Sequence, residues 1–461
     1  MAKKRKIQQN TKSSGLEITH PDTAGIDVGK DLMQVSVPAD RCPQSNRCFN
    51  TFTKDLLEIV QWLKDCNIKR VVMESTGVYW IQIFLMLQEV GIEALLVNAK
   101  EVKNMTGRKS DVCDADWLRF LGSCNLIKPC YQVEAVSRRL REFSRLRANK
   151  VRDMARELNR MQKAMEQMNI KLGSVISDID GVSGMKIIQA ILDGERNPDT
   201  LASLADKKCK KSRDEIAMAL EGTWDYEHVF CLRQSYEAYM FFKEQVIRCD
   251  AEIQTFLDSY NYESSFGCKT GVLIRSGKHI CKKNKIDFDI ENYAYNMFGV
   301  NLMKIPGISH GTLLTMMSEL GPGFVNKFPS ASKFCRWCNL TPIDKITGGD
   351  LKSSNVPKRK NLVGQVFRQC TMALQKKDVP LGHYYRRIKS RLGAAQATVA
   401  TAHKIAEIVY FMVLRQEEYR EDVTAQNEKN AIVLKLANME KRRKYLENKL
   451  AKIVGATISD G

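Results

Sequence analysis

Gly25-Ile26-Asp27-Val28-Gly29-Lys30 contains an apolar run that carries one acidic residue near its centre and is followed by Gly29 and Lys30. Short runs of apolar and β-branched residues with such an ending are typical of β-strands. A carboxylate inside an apolar strand is costly unless a cation or a metal ion lies beside it. We therefore expect Asp27 to be buried in a sheet and to face a positive charge.

The segments after this strand alternate in a way that is typical of an α/β domain. β-type patterns from Met33 to Val37 and from Cys48 to Thr53 predict two further strands, and so a three-stranded antiparallel start. The period of the apolar residues then predicts a helix over 54–66, a strand over 70–74, a helix over 79–90 and a strand over 93–97. This is the order of an RNase H-like domain, and a flavodoxin-like fold has a similar order.

Three more acidic residues stand where strands end or helices begin. Glu74 follows the apolar segment Val71-Val72-Met73, at the carboxyl edge of a predicted strand. Asp111 and Asp114 are three residues apart at the start of a predicted helix, so their carboxylates share one helical face. Such oxygen donors suit Mg²⁺ or Mn²⁺, which assist phosphodiester transfer. The plainer interpretation makes Asp111 a helix cap and Glu74 a turn residue.

The composition indicates a folded protein with a polyanionic partner. The chain is 44% hydrophobic, and its 72 Lys and Arg against 53 Asp and Glu leave a formal net charge of +19. This charge favours nucleic acid, with an anionic membrane surface as the alternative. No run of about 18 apolar residues is present, and Met1 to Lys6 is basic without the apolar segment of a signal peptide, so we expect a cytoplasmic protein without a membrane partner.

The chain also contains 14 scattered cysteines, which we interpret as reduced thiols. The close pair Cys335 and Cys338 has no second such pair to complete a zinc site, so it is interpreted as packing. Apolar residues spaced three and four apart from Val151 to Leu172 predict one seam of a coiled coil or of a long helical hairpin, and the same spacing from Ile432 to Ile453 predicts a short coiled coil. Basic residues crowd the first seam, and nucleic acid lying alongside explains them better than a solvated helix face does.

The acidic residues together carry a family resemblance. Asp27 in Gly-Ile-Asp-Val, Glu74 in Met-Glu-Ser-Thr-Gly, and Asp111 with Asp114 in the segment 109–115 resemble the motifs of DEDD insertion-sequence transposases related to Piv-type DNA invertases. This family is understood as bridge-RNA-guided recombinases. The resemblance covers residues 23–175 and implies a RuvC-like domain in which Asp27, Glu74, Asp111 and Asp114 are catalytic and hold Mg²⁺.

The resemblance resumes from Met303 to Tyr410, which is similar to the family's second transposase domain. Its marks are Ile305-Pro306-Gly307-Ile308, Leu340-Thr341-Pro342, Ile346-Thr347-Gly348-Gly349 and Lys358-Arg359-Lys360-Asn361. The family has a nucleophilic serine before the glycine pair, and Thr347 stands there in this chain. Ser353 and Ser354 are the alternative nucleophiles. Without the resemblance, this segment would be interpreted as a glycine turn capped by threonine.

Basic residues and glycine turns near both sites are expected to contact nucleic acid. Cations neutralise phosphate, glycine lets a backbone come close to it, and the turn at Gly307 resembles that of a helix-hairpin-helix module. The residues so predicted are Arg108, Lys109, Arg138, Arg139, Arg145, Lys150, Gly307, Gly348, Gly349, Lys352, Lys358, Arg359, Lys360, Arg386 and Arg387.

The sequence thus predicts an α/β RNase H-like (RuvC-like) domain, a long helical coiled-coil middle and a mostly helical C-terminal transposase domain. The predicted boundaries are a basic arm (1–22), the DEDD domain (23–130), the coiled-coil region (131–257), an unassigned insert (258–301), the second transposase domain (302–414) and a coiled-coil tail (415–461).

The predicted function is that of an insertion-sequence transposase, a DNA recombinase that joins DNA by metal-assisted attack of a protein hydroxyl on a phosphodiester. Its expected partners are DNA, a structured guide RNA, and further copies of the chain in a dimer or tetramer. The alternatives are a RuvC-like junction nuclease and a non-enzymatic coiled-coil scaffold that binds nucleic acid.

Overall fold

The computed structural model describes residues 17–75, 77–98, 102, 114–133, 135–207, 209–260, 273, 275, 277, 284–357, 361–421, 433, 436–447 and 449–450. Six predicted site residues lie outside these ranges: Arg108, Lys109, Asp111, Lys358, Arg359 and Lys360. The chain divides into two compact units, Met1–Gln132 and Val133–Gly461, and each is described by itself.

The first unit is a mixed sheet with helices on its faces. Its elements are β1 (Thr23–Val28), β2 (Leu32–Ser36), β3 (Asn46–Asn50), α1 (Thr53–Asp65), β4 (Arg70–Glu74), α2 (Trp80–Glu89), β5 (Glu93–Val97) and α3 (Asp114–Ser123). The strand order is β3-β2-β1-β4-β5. β1 and β2 are antiparallel, as are β2 and β3, whereas β4 runs parallel to both β1 and β5. The prediction that this part of the chain is an α/β domain with a mixed sheet is confirmed.

Alternation along β1 decides which residues enter the main core. Ala24, Ile26 and Val28 are buried in an apolar cluster with residues of α1 and α2. Because successive side chains point to opposite faces of a sheet, Thr23, Gly25 and Asp27 lie on the other face. Val72 on β4 and Leu118 and Leu121 of α3 form a second apolar cluster there. This second face carries the residues that the sequence analysis singled out.

The described part of the second unit is helical apart from one hairpin. Its elements are α4 (Ala135–Gln167), α5 (Leu172–Val175), α6 (Val182–Leu192), α7 (Pro198–Ser203), α8 (Arg213–Ala219), α9 (Tyr226–Asp258), α10 (Ile290–Phe298), α11 (His310–Leu320), α12 (Phe324–Lys327), α13 (Ala331–Trp337), β6 (Ile343–Thr347), β7 (Asp350–Asn355), α14 (Leu362–Met372), α15 (Pro380–Leu392) and α16 (Ala394–Arg415), with a 3₁₀ turn at Leu302–Lys304. The prediction of a helical remainder is confirmed.

Two 33-residue helices, α4 and α9, pack against each other as a long pair. Met154, Met161 and Met165 of the predicted seam are buried, in a cluster shared with residues of α6 and α8. The seam does not continue in one helix as expected, because α4 ends at Gln167 and Leu172 begins α5. Helices of the same chain therefore cover this seam.

α16 is long and apolar enough to cross a membrane by length and composition, and half of its most apolar stretch is buried inside the protein. It packs against α13, α14 and α15, with Ile405 and Val409 fully buried. A central helix of a helical domain has the same properties.

Candidate active site

Two of the predicted carboxylates stand side by side at the carboxyl ends of parallel strands. In the register of β1 and β4, Ile26 lies opposite Met73. Asp27 and Glu74 are the next residue on each strand, and neighbouring strands lie about 4.8 Å apart. Both side chains are partly exposed. The two carboxylates therefore start from adjacent positions on one face of the sheet.

The expectation that Asp27 is buried is wrong. Its apolar neighbours Ile26 and Val28 are buried, but Asp27 itself is only partly buried. The apolar residues on either side in sequence point into the core of α1 and α2, whereas Asp27 points to the opposite face. The carboxylate thus stays within reach of solvent and of ligands.

α3 lies on the same face and begins near the two carboxylates. A Cβ built on Gly25 would lie 2.0 Å from the carbonyl oxygen of Ala115, and one built on Gly122 would lie 2.9 Å from Cγ2 of Thr23. The start of α3 thus covers Gly25 and its end covers Thr23, so the helix runs antiparallel to β1. Asp114, the first residue of α3, consequently lies toward the Asp27 end of the strand.

One acidic residue of α3 has a structural role that the sequence analysis missed. Asp116 accepts hydrogen bonds from Ser36 Oγ (2.5 Å) and Asn46 Nδ2 (3.1 Å). Arg119 donates through Nε to the same Ser36 oxygen at 2.9 Å. These bonds fasten α3 to β2 and β3. No local pattern marks Asp116, since its partners lie 80 and 70 residues earlier in the chain.

The donor chemistry of this face fits a hard divalent cation, because Asp27, Glu74 and Asp114 all offer carboxylate oxygens. Among the described residues, no group of three or more His, Cys, Asp or Glu lies close enough together to hold a metal ion. Asp111, the fourth predicted ligand, lies outside those residues. The described geometry therefore contains the strand pair Asp27 and Glu74, with Asp114 at the start of the covering helix.

The predicted nucleophile Thr347 lies at the tip of the β6–β7 hairpin. Thr347 pairs with Asp350, and the two residues between them, Gly348 and Gly349, have φ angles of +61° and +85°. Positive φ at both central positions defines a type I′ turn, which glycine enters without steric cost. Every residue of β6 is exposed. The turn thus presents the Thr347 hydroxyl at a protruding, accessible position.

The alternative nucleophiles lie on the second strand of the same hairpin. Ser353 pairs with Lys345 and is partly buried, whereas Ser354 pairs with Asp344 and is exposed. A register shift between Lys345 and Ile346 separates these pairs from the turn. All three hydroxyls therefore belong to one hairpin, and Thr347 is the one next to its tip.

Several residues predicted to contact nucleic acid have partners within the protein. Arg145 donates two hydrogen bonds to Glu319, at 2.8 Å and 3.0 Å, and so ties α4 to α11. Lys150 lies 5.4 Å from the ring centre of Phe242, and Arg387 lies 5.3 Å from that of Tyr384. Arg386 donates to the carbonyl oxygens of Gln375 and Lys377.

The remaining predicted contacts are placed as follows. Arg138 is partly buried, whereas Arg139 and Lys352 are exposed. Lys352 Nζ lies 4.0 Å from a carboxylate oxygen of Asp350. Gly307 has a φ of +94°, and a Cβ there would lie 2.7 Å from the carbonyl oxygen of Cys370. Gly307 is thus required for packing against α14, whatever else the turn contacts.

The cysteines are free thiols throughout the described residues. Cys335 and Cys338 are both fully buried, in agreement with the packing interpretation. Burial raises the pKa of the Cys335 thiol to about 12 and the pKa of Cys338 well above its ordinary value. Thiols with such pKa values stay protonated at neutral pH and do not favour metal binding.

Comparison with known families decides the identity of the chain. A family model described as a transposase, of the DEDD and IS110 type, matches residues 24–170. A second model, described as the transposase IS116/IS110/IS902 family, matches residues 300–386. The chain belongs to the IS110-type transposases. The resemblance identified from the carboxylate motifs is therefore confirmed.

Each of the two matches of this IS110-type transposase contains one of the two predicted sets of site residues. The first includes Asp27, Glu74 and Asp114, and the second includes the hairpin with Thr347. Membership of this family indicates an enzyme that cuts and joins DNA. No curated protein matches the chain at a significant level.

Proposed function

We propose that this transposase recombines DNA by strand transfer, with Asp27, Glu74, Asp111 and Asp114 as its metal-binding residues and Thr347 as its nucleophile. The observation that carries the proposal is the adjacent placement of Asp27 and Glu74 at the ends of two parallel strands, with the start of α3 on the same face. Carboxylates gathered at such an edge are typical of RNase H-like nucleases, so we assign this fold to the first unit.

The four carboxylates would hold Mg²⁺ or Mn²⁺. When bound there, such an ion neutralises the phosphate under attack and the developing charge on the leaving oxygen. Asp27 and Glu74 provide oxygens from the strand ends, while Asp114 and Asp111 provide them from the start of α3 and the segment before it. The bonds of Asp116 to β2 and β3 keep α3 in place, so Asp116 is a positioning residue.

The Thr347 hydroxyl attacks phosphorus and forms a protein–DNA phosphodiester. The bond from phosphorus to one deoxyribose oxygen breaks, the hydroxyl proton leaves, and the displaced oxygen takes up a proton. The number of ester bonds is unchanged, so the energy of the phosphodiester is retained for rejoining. Position at the hairpin tip supports this role, because a β-branched hydroxyl needs open space around it to reach a phosphate.

We further propose that the active form is a dimer or tetramer guided by a structured RNA. The tail supports self-association, because Leu436, Met439, Leu446 and Leu450 are each more than half exposed and are spaced as in a coiled-coil seam. The RNA partner rests on the family resemblance and on the net charge of +19. A protein that acts on DNA in this way is expected in the cytoplasm.

A denaturant-quenched reaction tests the proposal. DNA should remain covalently attached to the protein, and proteolysis with mass spectrometry should locate it on Thr347. Thr347→Ala should abolish the adduct, whereas Thr347→Ser should keep or increase it, because serine offers the same oxygen with less crowding. Loss of the adduct in Ser353→Ala or Ser354→Ala, but not in Thr347→Ala, would assign the nucleophile to the other strand.

Cleavage without an adduct in any variant would point to water as the attacking group, and a RuvC-like junction nuclease would then replace the transposase mechanism. Absence of any Mg²⁺-dependent reaction on DNA would favour the scaffold.

A further inference from the structure

A cleft of about 940 Å³ lies within the second unit, between α4, α11 and α14. Its described lining includes no residue of the first unit and none of the β6–β7 hairpin. Clefts of about 300–1,000 Å³ are of the size that takes a ligand or a short flexible chain. The function proposed above uses none of the interior of this cleft.

The lining of the cleft is strongly basic. Among the described residues of the lining, the charged ones are five cations and one carboxylate, namely Arg145, Arg147, Arg152, Lys285, Lys377 and Glu319. Because the cations outnumber the carboxylate, the cleft favours an anionic occupant. These cations belong to segments that are far apart in the sequence, so the positive potential of the cleft exists only in the folded protein.

The ion pairs show which of these cations are available to a ligand. Arg145 is bonded to Glu319, and Arg147 is bonded to Asp250, which lies outside the lining. Arg152, Lys285 and Lys377 are exposed, and they form no ion pair within the described part of the chain. Three positive charges from three separate segments thus face the cleft without a carboxylate partner.

The start of α11 opens into the same cleft. Ser309 caps this 11-residue helix by accepting a hydrogen bond from the Thr312 N–H, and no described residue beyond the surrounding turns of the helix comes within 4 Å of a Cβ position on Gly311. His310 also lines the cleft, and its two buried ring nitrogens have no hydrogen-bond partner among the described residues. The buried imidazole nitrogens are not accessible to an occupant, so the uncovered N-terminus of α11 is the feature here that suits a phosphate oxygen.

The apolar part of the lining indicates which part of a nucleic-acid strand the cleft would contact. Val151, Ile308, Leu314 and Val366 contribute to the cleft surface, and no Phe, Tyr or Trp is among the described lining residues. Proteins that hold single strands by their bases use aromatic rings for stacking. This cleft offers cations for phosphates and aliphatic surface for sugars, and so favours recognition of a backbone without regard to base sequence.

We propose that this cleft binds the phosphodiester backbone of a single-stranded nucleic-acid segment, with one phosphate at the start of α11 and its neighbours at Arg152, Lys285 and Lys377. The inference rests on the proposed function in that a transposase handles strands separated from their duplex. A flexible single strand can bend so that successive phosphates reach cations on separate segments of the cleft wall.

The test measures binding of the full-length chain, carrying Asp27→Asn and kept in EDTA, to fluorescent probes of about a dozen nucleotides. The probes are single-stranded DNA, single-stranded RNA of the same sequence and duplex DNA, and binding is followed by anisotropy over a range of salt concentrations. Arg152→Gln with Lys377→Gln should weaken single-strand binding about tenfold and lower the salt slope by about 1.4, because two phosphate contacts are lost.

Matched variants control for general loss of charge. Lys163→Gln with Lys243→Gln removes two exposed cations from α4 and α9 that do not line the cleft, and it should leave the slope nearly unchanged. Gly311→Trp should block the cleft, whereas Ala155→Trp adds the same ring at an exposed position of α4 outside it. The probe whose affinity falls identifies DNA, RNA or both as the source of the strand.

Equal effects of the cleft and control variants would overturn the proposal. So would photocrosslinks from a benzophenone residue at Gln369, on the cleft wall, that reach another polypeptide and never the probe. Asp27→Asn is expected to abolish strand transfer, and Asp27 does not line the cleft, so the binding measurement tests the cleft alone. If the probes bind as expected but the denaturant-quenched reaction contains no covalent adduct, the proposed function is wrong and the proposal for the cleft is not.

Discussion

Gly25 of β1 lies directly beneath Ala115 of α3, so closely that a Cβ on Gly25 would lie 2.0 Å from the Ala115 carbonyl oxygen. No side chain larger than hydrogen fits between strand and helix at this point. The contact allows α3 to lie flat on the sheet face that carries Asp27. A glycine two residues before the carboxylate thus helps to position the site.

Gly25→Ala is expected to lift α3 from the sheet and to destabilise the first unit by about 1–3 kcal/mol, the usual cost of overpacking. Hydrogen exchange with mass spectrometry on the full chain should show faster exchange over 114–123. Gly311→Ala is the matched control, since nothing lies within 4 Å of its Cβ position. Unchanged protection of α3 in Gly25→Ala would contradict the observed packing.

Asp27→Asn or Glu74→Gln is expected to abolish strand transfer while the thermal midpoint stays the same or rises. Removing one charge from a group of acids relieves repulsion but also removes a metal-binding oxygen. Calorimetry should show weaker Mn²⁺ binding, measured on the chain alone and with its nucleic acid. Asp31→Asn, an exposed neighbour beyond β1, should change neither property. Mg²⁺-dependent activity that survives in Asp27→Asn would place the metal elsewhere.

Asp250→Ala is expected to destabilise the second unit by about 3–5 kcal/mol, because Arg147 would remain buried without its carboxylate. The side chains of Arg147 and Asp250 are only 8% and 3% exposed, and Arg147 also donates to the carbonyl oxygens of Asn284 and Lys285. Urea unfolding of the chain would measure the loss.

Two comparisons make this prediction specific. Glu244→Ala breaks an exposed pair with Arg248 on the same helix and should cost less than about 1 kcal/mol. Arg147→Met combined with Asp250→Leu should recover most of the stability, because no charge is then buried. Equal losses of unfolding free energy in Asp250→Ala and Glu244→Ala would mean that burial does not determine the cost of breaking an ion pair.

Deleting residues 421–461 is expected to lower the mass measured by light scattering. The seam residues Leu436, Met439 and Leu446 are 53–59% exposed, so a single chain leaves them uncovered. Leu436→Lys with Leu446→Lys should have the same effect, whereas Lys441→Gln, on the opposite side of the helix, should have none. An unchanged mass would make the tail a solvated helix.

The sequence predicted the buried strands most closely. β4 and β5 begin and end at the predicted residues, because each is a short apolar run between two helices. β3 was predicted at 48–53 and lies at Asn46–Asn50. Its polar residues Asn46 and Arg47 pair with β2 at the sheet edge, where half-exposed side chains weaken the hydrophobic pattern.

For the candidate site, the sequence by itself determined the family, the acidic residues and the glycine turn after Thr347, whereas the β6–β7 hairpin around that turn was found only in the structure. These depend on residue type and on neighbours a few positions away, which a pattern contains. The sequence did not determine that Asp27 is partly exposed, that Asp116 fastens α3, or that Arg152, Lys285 and Lys377 face one cleft. Only tertiary structure decided these points, because the free energy that places such residues together comes from packing between segments far apart in the chain.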